Sequence, residues 1–159
     1  QIGQTVNISE LAGKLGISAS TVKRYISIFE QSFIIFTVSP YTKNGRREIG
    51  KMPKIYFWDT GLRNAVIDAF GPIRGRGDVG QLFENFLMAE WKKLNEYGHF
   101  GWTFHYWRTI QGAEVDCVMA RGDDLVAIEI KYSGGKMNRA FCARYPKALT
   151  RIITSKNFY

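Results

Sequence analysis

Apolar residues recur along this chain with two periods, and the switch between them marks its elements. Within residues 7–30, Ile8, Leu11, Ala12 and Leu15 fall at i, i+3, i+4 and i+7, which is one helical face. Asn7 and Glu10 stand at capping-box spacing and predict the start of that helix, and Gly16 predicts its end. Ser18 or Ser20 can cap a second helix, whose apolar stripe reads Val22, Ile26 and Phe29 with Tyr25 alongside. Phe33–Ser39 and Lys54–Trp58 read as strands, and Asn44-Gly45 between them signals a tight turn. Gly71–Gly80 carries four glycines and a proline, a composition that suits a linker rather than the interior of a helix or strand. Beyond it, Leu82, Phe83, Phe86, Leu87, Trp91 and Leu94 trace one face of a helix over Gln81–Tyr97. Three strand-like runs follow, Trp102–Arg108, Ala113–Met119 and Leu125–Tyr132, then a helix around Met137–Tyr145 and a strand Leu149–Thr154. The order α, three β, α, β predicts a mixed sheet flanked by helices, and the fold class is α+β.

Charge adds a partner class. The chain has 159 residues, with 22 Lys and Arg against 14 Asp and Glu, a formal charge of +8 that favours polyanions. Helix, helix and basic hairpin is the order of a winged helix-turn-helix, and Ile8–Phe29 resembles bacterial helix-turn-helix segments. The resemblance makes Ala19–Phe29 the recognition helix, with Thr21, Lys23 and Arg24 towards a phosphate or base edge. The wing would offer Lys43, Arg46 and Arg47, and duplex DNA is the expected partner. The competing expectation is a packing module whose basic residues are merely solvated. No apolar run approaches the roughly 18–20 residues of a membrane span. Two cysteines, Cys117 and Cys142, are too few for a disulfide framework and suit a reducing, cytoplasmic setting.

The candidate chemistry lies in three strings: Glu84 on the long helix, Glu114-Val115-Asp116 at the start of the second strand of this half, and Glu129-Ile130-Lys131 in the third. Strand side chains repeat with period 2, so Glu129 and Lys131 share a face, as do Glu114 and Asp116. Charges in otherwise apolar strands are costly unless paired or bound to a metal. If the two strands are neighbours, carboxylates and a lysine converge. Such a cluster suits phosphodiester hydrolysis with Mg²⁺ or Mn²⁺, with Asp116 and Glu129 as metal ligands. Lys131 would then stabilise charge or orient the attacking water. The other expectation is a salt-bridged network in a fold that does not cut. Glu114 reads as a surface charge, Asp59 as a helix cap, Asp123-Asp124 as a hairpin turn and Cys117 as core. Arg74 and Arg76 read as residues of a solvated flexible loop.

The spacing Asp116-x12-Glu129-x-Lys131, with Glu84 upstream, resembles the PD-(D/E)XK nuclease-like superfamily, although Val115 stands where that motif has proline. More of the chain resembles the C-terminal region of bacterial and archaeal AAA-type ATPases that carries the domain of unknown function 4143. The matching strings are KIYFWDTGLRNA, GQLFENFLMAEW, FHYWRTIQGAEVDCVM and LVAIEIKYSGG. The resemblance implies a winged helix over residues 1–70, a linker at 71–80 and a nuclease-like α/β domain over 81–159. It also implies an ATPase module upstream in a longer chain. ATP would bind only there, because the present sequence lacks the glycine-rich lysine loop that cradles its phosphates.

Overall fold

A computed structural model describes residues 3–42 and 52–158. Lys43, Arg46 and Arg47 lie outside the described residues. Two short helices open the chain, α1 (Ile8–Leu15) and α2 (Ala19–Gln31). The Asn7 carboxamide accepts from the Ser9 and Glu10 amides, and Ser18 Oγ accepts from the Thr21 amide, so both helices start where the caps predict. Gly16 closes α1 in the left-handed conformation at φ 65°, which a side chain at this position would disfavour.

The buried row of α2 differs from the predicted stripe. Val22 is buried, Ile26 is half-buried, and Phe29 is exposed and stacked on Tyr25. The cause lies one residue further on. Glu30 turns inward and accepts from both the amide and the hydroxyl of Thr37, so the helix faces its neighbours along Val22, Ile26 and Glu30.

The strands β1 (Ile35–Pro40) and β2 (Lys54–Phe57) form an antiparallel hairpin. After α3 (Thr60–Val66) and α4 (Val79–Tyr97) come β3 (Thr103–Arg108), β4 (Glu114–Arg121), β5 (Asp124–Ile130), α5 (Arg139–Arg144) and β6 (Leu149–Ile153). All six strands belong to one mixed sheet in the order β2-β1-β3-β4-β5-β6. Its hinge is the parallel pairing of Ser39 and Pro40 on β1 with His105 and Tyr106 on β3. The Gly-rich segment therefore separates two stretches of chain that share a sheet. Asp59 caps α3 by accepting from the Leu62 amide, as expected, and the β4–β5 turn falls at Gly122-Asp123, one residue earlier than Asp123-Asp124, because Asp124 already pairs with Arg121 as the first residue of β5.

The core is built on both faces of the sheet. On one, Phe83, Leu87 and Met88 of α4 cover Phe36, Tyr56, Tyr106, Cys117 and Ile128. On the other, Phe141 and Tyr145 cover Trp107, Val115 and Val118. Two buried asparagines fix α4 in register. Asn85 exchanges hydrogen bonds with the backbone amide and carbonyl of Phe57 at 2.9 and 2.8 Å. Asn95 does the same with Trp102 at 2.9 and 3.0 Å. Each amide side chain thus satisfies backbone groups that would otherwise be buried unpaired. Among the described residues no helix is long and apolar enough to cross a membrane.

Candidate functional site

The antiparallel register of β4 and β5 sets Cys117 opposite Ile128. The next residues outward, Asp116 and Glu129, therefore stand side by side on neighbouring strands, beside a break in the β3–β4 register, and Cys117 points into the core. Asp116 is 7% and Glu129 4% exposed. Asp116 Oδ2 accepts from the backbone amide of Ile130 at 2.8 Å and from Lys131 Nζ at 2.8 Å. The same ammonium lies 3.2 Å from Glu129 Oε2. Three of the four residues singled out from the sequence thus meet at one point, where β5 ends.

The fourth, Glu84, sits on the second turn of α4 and is held by a residue the sequence reading passed over. Lys54 on β2 is 2% exposed, and its ammonium lies 3.2 Å from Glu84 Oε1 and 2.6 Å from Glu114 Oε1. The Tyr56 hydroxyl donates to the same Glu84 oxygen at 2.6 Å. Glu114 is accordingly not a free surface charge. It pairs with Lys54 and, more loosely, with Arg108 at 3.7 Å. The clasp of Asn85 on Phe57 explains why Glu84 meets Lys54 and Tyr56, since it places neighbouring residues of α4 and β2 against one another.

Glu84, Glu114, Asp116, Lys54 and Lys131 line a cavity of about 660 Å³. Gly3 and Thr5 lie at its rim, where Thr5 bridges to Lys54 in an antiparallel pair. Three carboxylates line it with two lysines, Glu129 adjoins them through Lys131, and the electrostatics follow. Burial pushes the Glu84 carboxyl above its ordinary value against the pull of Lys54, with Asp116 adding repulsion. Burial and the nearby Asp116 raise Glu129 to about 7. Burial alone would lower Lys54 and Lys131, but their carboxylate partners outweigh it and both ammoniums are held above the ordinary lysine range. Tyr56 is pushed well up by burial and by Glu84, so it remains a donor.

Gly135 fixes the stem of Lys131. A Cβ at Gly135 would stand 2.6 Å from Lys131 Cγ, so the turn after β5 approaches the lysine as closely as glycine allows.

The Gly-rich segment preceding α4 is pinned as well, contrary to the expectation of a solvated loop. Arg76 donates to both carboxylate oxygens of Asp78, to Asn64 Oδ1 and to the carbonyl of Ala69. The buried Arg63 on α3 reaches Asp78 as well. The paired guanidiniums hold the Asp78 carboxyl well below the usual carboxylate range.

The residues expected to touch nucleic acid are placed less decisively. Lys23 and Arg24 are exposed on α2. Thr21 is half-buried, with its hydroxyl 2.8 Å from Ser18 Oγ at the helix start. The carboxylates do not form a closed cage: among the described residues no three His, Cys, Asp or Glu side chains are grouped so as to enclose a metal ion. Lys54 and Tyr56 escaped the sequence reading because they lie 30 and 28 residues before Glu84 and read as ordinary strand positions. The one signal was a lysine alternating with apolar residues in a short buried strand.

No solved structure matches the chain. Two curated relatives are an uncharacterized protein of Mycobacterium bovis, Mb2031c, and one of Mycobacterium tuberculosis, Rv2008c. Each is 28% identical over 131 residues, covering 81% of this chain and 29% of the relative. The chain therefore spans less than a third of the length of the relatives it matches. Residues 1–72 match the model of a domain of unknown function, DUF8612, and residues 79–156 match that of a second domain of unknown function, DUF4143.

Proposed function

We propose that this chain is the C-terminal region of an AAA-type ATPase that works on DNA, and that its cavity is a divalent-metal phosphodiesterase site in a PD-(D/E)XK nuclease-like domain. The observation that carries this reading is the convergence of Asp116 and Glu129 on one ammonium at the end of β5. The DUF4143 match and the greater length of the relatives support the ATPase context.

The residues fit a hard cation. Asp116 and Glu129 offer oxygen donors already directed at one positive charge, and burial with the nearby Asp116 raises Glu129 to about 7. Mg²⁺ commonly takes one or two carboxylates, with waters and phosphate oxygens completing its shell, so a closed cage is not required. Such an ion would supply a lowered pKa for a bound water and neutralise charge developing on the phosphate. The chain's own groups do the rest. The Ile130 amide fixes one oxygen of Asp116, leaving the other for a ligand. Lys131 is 42% exposed on its side chain and can swing from the carboxylates to a phosphate oxygen. Lys54 and Tyr56 hold one oxygen of Glu84 and keep that side chain turned to the cavity. Lys23 and Arg24, exposed on α2, would neutralise duplex phosphates, and Lys43, Arg46 and Arg47 are proposed for the same task from the sequence.

The test is cleavage of DNA in Mg²⁺ or Mn²⁺ by the protein together with its ATPase part. Asp116→Asn should abolish cleavage without unfolding the chain. Metal-dependent cleavage that survives Asp116→Asn would remove this site from the chemistry.

A second reading, a non-catalytic interaction module of the ATPase, is favoured by the exposed apolar residues Tyr25, Ile28 and Phe29 on α2. It predicts no metal-induced stabilisation and loss of a protein partner on Phe29→Glu.

A further inference from the structure

A second concavity, of about 530 Å³, lies on the other side of the first turns of α4. Its wall is aromatic: Phe70, Phe83, Phe86, Tyr132 and Phe158 all line it. Phe83 meets Tyr132 edge to face at 5.7 Å and meets Phe158 likewise at 5.6 Å, so the rings brace one another without stacking face on face. Phe70 is 68% exposed and Tyr132 41% exposed, a large apolar cost for a chain in water unless something covers them.

The groove is continuous with the carboxylate cavity. Along the start of α4, Gly80 and Glu84 face the cavity, and Val79 and Phe83 face the groove. Tyr132 lines both, and it directly follows Lys131. A polyanion whose phosphate meets Lys131 would therefore present its next group to the rings. A duplex offers base edges in its grooves and keeps base faces stacked inside. A single strand offers flat π-faces, which aromatic side chains stack upon without regard to sequence. The ring-rich wall beside a lysine-bearing site, in a chain of charge +8, matches that ligand.

We propose that the groove takes an unpaired base of single-stranded DNA whose adjoining phosphate lies in the carboxylate cavity. The inference rests on the phosphodiester reading of that cavity and specifies its substrate as a strand that is unpaired at the site.

The experiment compares the affinity of a thymidine oligonucleotide, an abasic strand of equal length and a duplex. Each is measured against the wild type, Phe70→Ala and Phe86→Ala, in Ca²⁺ and in EDTA. Stacking of one base on an aromatic side chain is expected to give the thymidine strand a roughly 5- to 150-fold advantage over the abasic strand. Each substitution should erase most of that advantage while leaving abasic binding unchanged. Thermal melts check that both variants fold. Equal binding of thymidine and abasic strands, or a duplex affinity that falls in Phe70→Ala and Phe86→Ala as much as that of the thymidine strand, overturns the inference. So does an unchanged thymidine advantage in both variants. Base-dependent binding without any metal-dependent cleavage would overturn the nuclease reading and leave the groove assignment standing.

Discussion

Removing the Lys54 ammonium is the most searching perturbation of the clasp between the two parts of the chain. Lys54 is 2% exposed and is the cation closest to Glu84 and Glu114, at 3.2 and 2.6 Å. Lys54→Met keeps the stem and deletes the charge. Glu114 retains Arg108, but Glu84, with 14% of its side chain exposed, is left with the Tyr56 hydroxyl alone. Breaking a buried pair by removing one partner costs about 3–5 kcal/mol, because a charge is left uncompensated. At about 2–4 °C per kcal/mol for a chain of this size, the melting temperature should fall by about 6–20 °C. Adding Glu84→Gln should restore much of the loss, giving a coupling of about 2–3 kcal/mol in a double-mutant cycle read by urea unfolding. The pH dependence has a definite sign. Glu84 already has a raised folded pKa, and loss of Lys54 raises it further. Stability in Lys54→Met is therefore greatest below the unfolded carboxylate value and falls as pH rises through the folded one. A single-variant loss within about 0.5 kcal/mol, the range of ordinary surface substitutions, would refute this reasoning. So would additive effects in the cycle.

Glu129 makes a parallel prediction. Its pKa is raised from 4.5 to about 7, so metal-free stability should decline as pH rises across that window, by on the order of 3 kcal/mol, and Glu129→Gln should flatten the slope. Gly135→Ala should push Lys131 away from its carboxylates; if the cavity is the proposed phosphodiesterase site, cleavage should fall several-fold in a variant whose melting temperature shows it still folded, and unchanged cleavage would contradict a role for the close approach. Asp78→Ala should release the strap from Arg63 and Arg76, and trypsin should then cut at Arg74 or Arg76 in the native state, where the wild type resists.

Much of this arrangement can be read from local pattern because it depends on local physics. Caps at Asn7, Ser18 and Asp59 fix helix starts through bonds two or three residues long, and period-2 alternation places Glu129 and Lys131 on one face. The partnership of Asp116 with them needs only that β4 and β5 be neighbours. What the pattern does not carry is long-range. The parallel pairing of β1 with β3 joins residues more than sixty positions apart, and no turn signal encodes it. Lys54 reaches Glu84 through that same assembly, so its role appears only once the sheet is built. Phe29 misled for a different reason: a periodic apolar residue is assumed to face inward, but Glu30 gains two hydrogen bonds from Thr37 and turns the helix. Arg76 reads as solvated until Asp78, Asn64 and Ala69 are seen to converge on it.

The central claim is that Asp116 and Glu129 hold a divalent cation. Titration of the protein with Mn²⁺, followed by the loss of the free-ion paramagnetic resonance signal, tests it without reference to turnover. The account predicts one saturable site per chain, lost in Asp116→Asn and weakened in Glu129→Gln, in variants that remain folded. It also predicts that Lys131→Met binds Mn²⁺ at least as well as the wild type, because the competing ammonium is gone. Absence of saturable binding in the folded wild type, or equal binding in Asp116→Asn, would contradict it.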